Sequence, residues 1–234
     1  LKDAMMAALT KADEDEQVRV IILQGAGNNF SSGGHIGEML ETGMESEALS
    51  TKLNFMVGEV AEISLKLRDV HKPIIAKLEG AVAGAGMNLA LTCDFRIASD
   101  NAKFVQAFVN IGLIPDAGGI YLLNQLIGAA KTTELVMLGD KLKADDMARL
   151  NVVNTVVSAD EIDASVQALA TRLSNLPGKA LASMKHMINV HAFGGLNEAL
   201  DMEVEQQNMM AVTEDFKEGI TAFMEKRKPV YQGK

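Results

Sequence analysis

Sulfur and positive charge are the two things this chain has little of. A single cysteine, Cys93, cannot close an internal disulfide and supplies too little thiolate for a structural zinc site, which suits a reducing, cytoplasmic setting. The 22 Lys and Arg residues are outnumbered by 31 Asp and Glu, giving a net charge of −9. Binding along a polyphosphate needs a basic face from which many counterions are released, so nucleic acid is not an expected partner. With no Trp and 4% aromatic residues there is also little to stack bases on. No apolar run reaches the roughly 20 residues that cross a bilayer. The opening residues, Leu1-Lys2-Asp3-Ala4-Met5-Met6, lack the basic segment, apolar core and cleavage site of a secretory signal. His71, His186 and His191 are scattered without a ligand spacing such as H-E-x-x-H, and no metal is expected. Small anionic ligands remain open to local amides and lysines.

What is there suits a single catalytic unit. A hydrophobic share of 48% over 234 residues is enough to bury a sizeable core. Leu1–Ala12 has helical spacing and feeds a β-rich run, Val18–Leu23. A glycine-rich loop, 25–34, and a polar, Met-rich stretch to about Ser50 follow. The pattern then predicts a helix over Leu53–Asp69 and a strand over Ile74–Leu78, with a glycine-rich segment, 80–86, opening a helix that carries Met87–Leu91. Further strand-like runs lie at Phe95–Ala98, Lys103–Phe104 and Val152–Val157. From Asp160 to Lys226 helical patterns succeed one another, broken at Pro177-Gly178 and Gly194-Gly195. Early strands with helices between them and a helical final third give an α/β class, divided as a core over 1–175 and a helical region over 176–234.

Two loops, Asn28–Ile36 and Glu79–Leu91, follow buried-looking strands. Glycine there serves either a tight turn or the close approach of a ligand to bare backbone. The second runs straight into a helix, whose free N–H groups and dipole suit a developing negative charge. Neither is a dinucleotide or phosphate loop: Gly80, Gly84 and Gly86 do not give G-x-G-x-x-G, and no Gly-Lys-Ser/Thr closes either segment.

The ordered segments VRVIILQGAGNNFSSGGHI, KPIIAKLEGAVAGAGMNLALTCDFRIAS, AKFVQAFVNIGLIPDAGGIYLLNQLIG and DFKEGITAFMEKRKPVYQGK resemble the crotonase, or enoyl-CoA hydratase/isomerase, superfamily along essentially the whole chain. The resemblance implies a ββα spiral core with a helical C-terminal trimerisation region, packed as a homotrimer or a dimer of trimers. The family's leading β segment and short basic loop would lie ahead of Leu1. The resemblance also implies an acyl-CoA substrate, in which coenzyme A is part of the substrate and no separate cofactor is needed. Two backbone N–H groups would hold the thioester oxygen as an enolate; carried over, they belong to Ser32 and to Ala85, between Gly84 and Gly86. Phe223 and Lys226 fall where family members approach the CoA of a neighbouring subunit, although Lys226-Arg227-Lys228 also reads as a solvated helix end.

Hydratases of the family use two glutamates to position and deprotonate water, and here those positions hold Asn88 and Phe108, neither able to act as a base. What remains is Asp116, after Pro115 and before Ala117-Gly118-Gly119, where the resemblance to 1,2-epoxyphenylacetyl-CoA isomerases and enoyl-CoA isomerases implies the catalytic carboxylate. Read from the residues alone, Asp116 also fits an N-cap for the following helix. An apolar wall from Phe108 and Ile114 would raise its proton affinity. Asn88 is either a pocket-lining amide or a polar residue in a buried first turn. His35, where the family has Asp, is either a loop hydrogen-bonder or a second acid or base, and Asp94 reads as a cap or turn residue. The segment 37–50 is expected to roof the acyl pocket. One carboxylate favours moving a double bond over adding water; hydration, hydrolysis or a degenerate acyl-CoA-binding subunit are the alternatives.

Overall fold

The computed structural model describes residues 1–34, 37 and 46–234. Helix α1 (Lys2–Glu14) leads to strand β1 (Ile21–Gln24), and helix α2 (Ser46–Asp69) returns the chain to strand β2 (Ile74–Leu78). Strand β3 (Ala81–Ala83) runs directly into helix α3 (Gly84–Thr92), followed by β4 (Phe95–Ser99), β5 (Lys103–Val105) and a 3-10 turn, Ala107–Ile111. Then come α4 (Gly119–Leu138), β6 (Leu142–Lys143), α5 (Ala144–Arg149), β7 (Thr155–Val157) and the helices α6 (Ile162–Ser174), α7 (Gly178–Ala192), α8 (Leu196–Ala211) and α9 (Glu214–Glu225).

Two sheets result. One is parallel, in the order β1-β2-β4-β7; the other has the order β3-β5-β6, with β3 and β5 parallel and β5 and β6 antiparallel. Parallel neighbours need crossovers, and α2 supplies the one between β1 and β2. The central strand β2 reads as an apolar run broken only by Lys77, because both its faces are largely covered. Ile74, Ala76 and Leu78 enter the main core, while Ile75 joins Ile97, Ile162, Val166 and Leu173 under α6 on the other face. A third cluster, with Leu53, Val57, Phe108, Leu113 and Phe216, gathers α2, the 3-10 turn and α9. Asp94, expected to be a cap or turn residue, is a half-buried junction. It accepts from Ile74 N–H (2.9 Å) and Lys185 Nζ (2.9 Å) and pairs with Arg68 (3.4 Å), fastening α7 to the start of β2.

The expected strand over Val18–Leu23 is shorter and shifted to Ile21–Gln24, because pairing with β2 begins only at Ile21. That over Val152–Val157 shrinks to β7, since Val152 and Val153 are buried in the turn after α5. The segment read wholly as a glycine loop contains β3, paired with β5. No helix among the described residues is long and apolar enough to cross a membrane.

Candidate active site

The two glycine loops meet. Ser31 bridges Val82, donating its N–H to Ala81 O (2.9 Å) and accepting from Ala83 N–H (3.0 Å). Gly33 lies against the Ala83 carbonyl and Gly84, and a Cβ on Gly86 would collide with the Ser31 side chain. A narrow cavity of about 80 Å³ opens beside this junction, lined by Ser32, Gly84, Ala85, Phe108, Leu113 and Asp116 among others. It has room for reacting carbons rather than a whole ligand. A larger cavity of about 380 Å³ lies away from it over Arg68, Cys93 and Lys185, where burial pushes the Cys93 thiol up to about 12 and leaves it unreactive.

Helix α3 begins at this cavity. Its N-cap, Ala83, offers no side-chain acceptor, and among the described residues nothing accepts from the N–H of Ser32 or Ala85. Unpaired N–H groups at a helix start carry partial positive charge. Gly84 has φ +51°, a left-handed conformation that glycine adopts at no steric cost, and the Phe108 ring packs beside it.

Asp116 lines the same cavity and is 8% exposed. Its Oδ1 is buried and has no hydrogen-bond partner among the described residues. Loss of water pushes its pKa from 3.8 up to about 7, as expected for a carboxyl among Leu53, Phe108, Ile111 and Leu113. It is the only ionisable side chain among the described residues that line this cavity. The capping role open to it in the sequence is not the one it takes. Gly118 is the N-cap of α4, and the acceptor comes from α8: Glu203 takes Gly118 N–H at 2.7 Å.

The backbone around Asp116 is held from three sides. Asn88 Nδ2 donates to the Asp116 carbonyl (2.8 Å), Ser64 Oγ to the Ala117 carbonyl (3.0 Å), and Gln207 both donates to and accepts from Ile114, at 2.9 and 3.0 Å. Two further sequence expectations change with this geometry. Asn88 does not line the cavity: it is fully buried behind Asp116, and its Oδ1 accepts from Gln106 (2.6 Å). Ile114 lines a third cavity, of about 370 Å³, shared with Glu203. Phe223 and Lys226 sit at the far end of α9, outside this cavity's lining; Phe223 is exposed, Lys226 is the left-handed C-cap, and Arg227 is taken up by Glu218 and Glu225. His35 and most of the segment 37–50 lie outside the described residues. Sequence reasoning missed Glu203 and Gln207, whose only signal was four-residue spacing on the buried face of a helix otherwise rich in Glu, Gln and Met.

The family model described as enoyl-CoA hydratase/isomerase matches residues 1–234. The chain is 35% identical to the trans-2-decenoyl-[acyl-carrier-protein] isomerase of Streptococcus mutans, over 99% of this chain and 88% of that protein. It is 33% identical to the 1,2-epoxyphenylacetyl-CoA isomerase of Escherichia coli, over 97% and 86%. The crystal structure of an enoyl-CoA hydratase from Mycobacterium avium subsp. paratuberculosis superposes with a TM-score of 0.87 at 31% identity, covering 99% of this chain and 87% of that one. With meeting glycine loops, a helix start open to the cavity and a family match along its whole length, the chain belongs to the enoyl-CoA hydratase/isomerase family, of the crotonase fold.

Proposed function

We propose that the protein shifts the double bond of an unsaturated acyl-CoA, with Asp116 as its one catalytic residue. The observation that carries this reading is the single carboxyl among the described residues lining the cavity, with a pKa raised to about 7 by burial, in a lining that also holds Ser32 and Ala85. A base works best when its proton affinity lies near the working pH. The N–H groups of Ser32 and Ala85 receive the thioester oxygen as negative charge builds on it, each donor being worth about 3 kcal/mol in the transition state. Asp116 takes a proton from C2 of a 3-enoyl thioester, the electron pair delocalises into a dienolate, and the same carboxyl returns the proton at C4. Oxidation state is unchanged and no water is consumed. Syn-addition of water by two carboxylates needs a second acid at the Asn88 or Phe108 position, and neither residue provides one.

Coenzyme A is part of the substrate in this reading, and no metal or organic cofactor is required. Two of the similar proteins are named as isomerases, one for an acyl-carrier-protein thioester and one for an acyl-CoA, which supports the reaction class. Assembly as trimers, with Phe223 and Lys226 of one subunit near the CoA of the next, belongs to the same proposal. The test is to incubate the purified protein separately with 3-enoyl-CoA and 2-enoyl-CoA, following double-bond migration and 3-hydroxyacyl-CoA formation. Migration without hydration is expected; rapid 3-hydroxyacyl-CoA formation would overturn the reading.

A further inference from the structure

The cavity of about 380 Å³ plays no part in the reaction above, and its charges do not balance. Arg68, Arg96 and Lys185 line it, and each is less than a tenth exposed. Among the described residues the one carboxylate that acts on them is Asp94, which pairs with Lys185 Nζ at 2.9 Å and with Arg68 Nη1 at 3.4 Å. Cys93, in the same lining, stays a neutral thiol. Backbone carbonyls supply further acceptors. Arg68 donates to Thr92 O and Arg96 to Cys93 O at the end of α3, and Lys185 to Leu67 O near the end of α2. A helix end carries about half a negative charge, so three cations against one carboxylate and two helix ends leave about one positive charge unbalanced. Burial makes that surplus costly and pulls the proton affinity of all three groups down.

Arg96 has donors to spare. Its Nε is held by Val152 O and its Nη1 by Cys93 O and Leu91 O, while its Nη2 has no hydrogen-bond partner among the described residues. Arg68 is more fully engaged, with Asn189 on its Nε and Nη2 and the Phe193 ring 4.6 Å from its guanidinium carbon. Much of the remaining lining is apolar, with Leu126, Leu173, Leu181, Met184 and Ile188. Met184 and Ile188 stand on α7 and are 58% and 53% exposed, so they form the rim.

We propose that this cavity binds a monocarboxylate with a hydrocarbon tail, such as a free fatty acid, its head group held by Arg96 Nη2 and its tail lying against the α7 side chains. A single negative charge matches the surplus, and a carboxylate matches the planar guanidinium. The apolar lining gives a tail somewhere to leave water, and the volume falls within the roughly 300–1,000 Å³ of small-molecule sites. A dianionic phosphate would overshoot the charge, and acetate would leave the apolar lining unused.

The test follows decanoate binding by NMR on protein carrying ¹³C in its methionine methyl groups, with Met184→Leu assigning the Met184 signal. Decanoate is expected to shift that signal saturably. 1-Decanol, which keeps the tail and lacks the charge, is expected to bind about 10–100-fold more weakly. Ile188→Glu places a negative charge at the exposed rim and is expected to weaken decanoate about tenfold. Asp116→Asn is expected to leave decanoate affinity unchanged, which separates this site from the acyl pocket. An unmoved Met184 signal, decanol as tight as decanoate, undiminished binding in Ile188→Glu, or binding lost with Asp116→Asn would each overturn the proposal. If Ile188→Glu instead split an oligomer in sedimentation while decanoate left Met184 unmoved, the face would belong to a second copy of the chain and the proposal would fall.

Discussion

Helices α3 and α4 begin alike and are used differently. Each starts at a glycine in a glycine-bearing turn, Gly84 and Gly119, and neither has a capping side chain on its own N-cap residue. At α3 the first donors are left open toward the cavity. At α4 Glu203 reaches across from α8 to take up Gly118 N–H, and the Asp116 carbonyl accepts from Gly119 N–H (2.9 Å). The open start can meet negative charge that develops during a reaction. The closed one leaves the Asp116 side chain free of capping duty, with a carboxylate's proton affinity raised by dry surroundings. Two similar stretches of sequence thus become a donor wall and an acceptor wall, and the distinction is made by α8, about 85 residues downstream.

The comparison is broken most severely at the acceptor wall. Asp116→Asn keeps the side chain's shape and removes its basicity, so isomerase kcat should fall by about 10²–10⁴-fold in a 3-enoyl-CoA assay. The same substitution should stabilise the protein in a pH-dependent way. Because burial raises Asp116 from 3.8 to about 7, the folded protein keeps a proton that the unfolded chain has released, and folding weakens as pH rises between those values. Thermal unfolding at pH 8 should therefore show Asp116→Asn more stable than wild type by about 2–4 kcal/mol, with the gain vanishing at pH 4. By the same sign, kcat/KM should rise with pH through a midpoint near 7.

At the donor wall, Gly86→Ala drives a methyl group into the Ser31 side chain and pushes the two loops apart. A loss of about 10²-fold in kcat is expected from a misplaced donor. Pairing it with Ser31→Gly, which removes the obstruction, should recover much of that loss, and a double mutant no better than Gly86→Ala would argue against the loop contact. The smallest effect belongs to Ser64→Ala. Removing the hydroxyl that donates to the Ala117 carbonyl should cost about 1 kcal/mol of stability in urea unfolding, with a modest fall in kcat.

Much of this was legible in the residues, and the limits are physical. Strand β2 and helix α2 could be read because an apolar run and a 3.6-residue period are local signals. The two loops and Asp116 could be read because several motifs stand in order along the chain. Strand β3 was hidden, since three small residues between glycines form a strand only when β5 lies alongside. Asn88 was placed in the pocket because sequence gives its helix but not its rotation, which turns the amide onto Asp116 O and Gln106. Glu203 was invisible for a related reason: a glutamate on an amphipathic helix is ordinarily solvated, and only the fold brings the start of α4 to it.

Everything turns on whether one carboxyl carries the proton between two carbons of the substrate. Deuterium placed at C2 of a 3-enoyl-CoA and followed through a single turnover in light water tests this directly. Deuterium reappearing at C4 of the 2-enoyl product in wild type, and no turnover in Asp116→Asn, is the result predicted. Complete loss of the label to water, with 3-hydroxyacyl-CoA formed first and Asp116→Asn as fast as wild type, would contradict it.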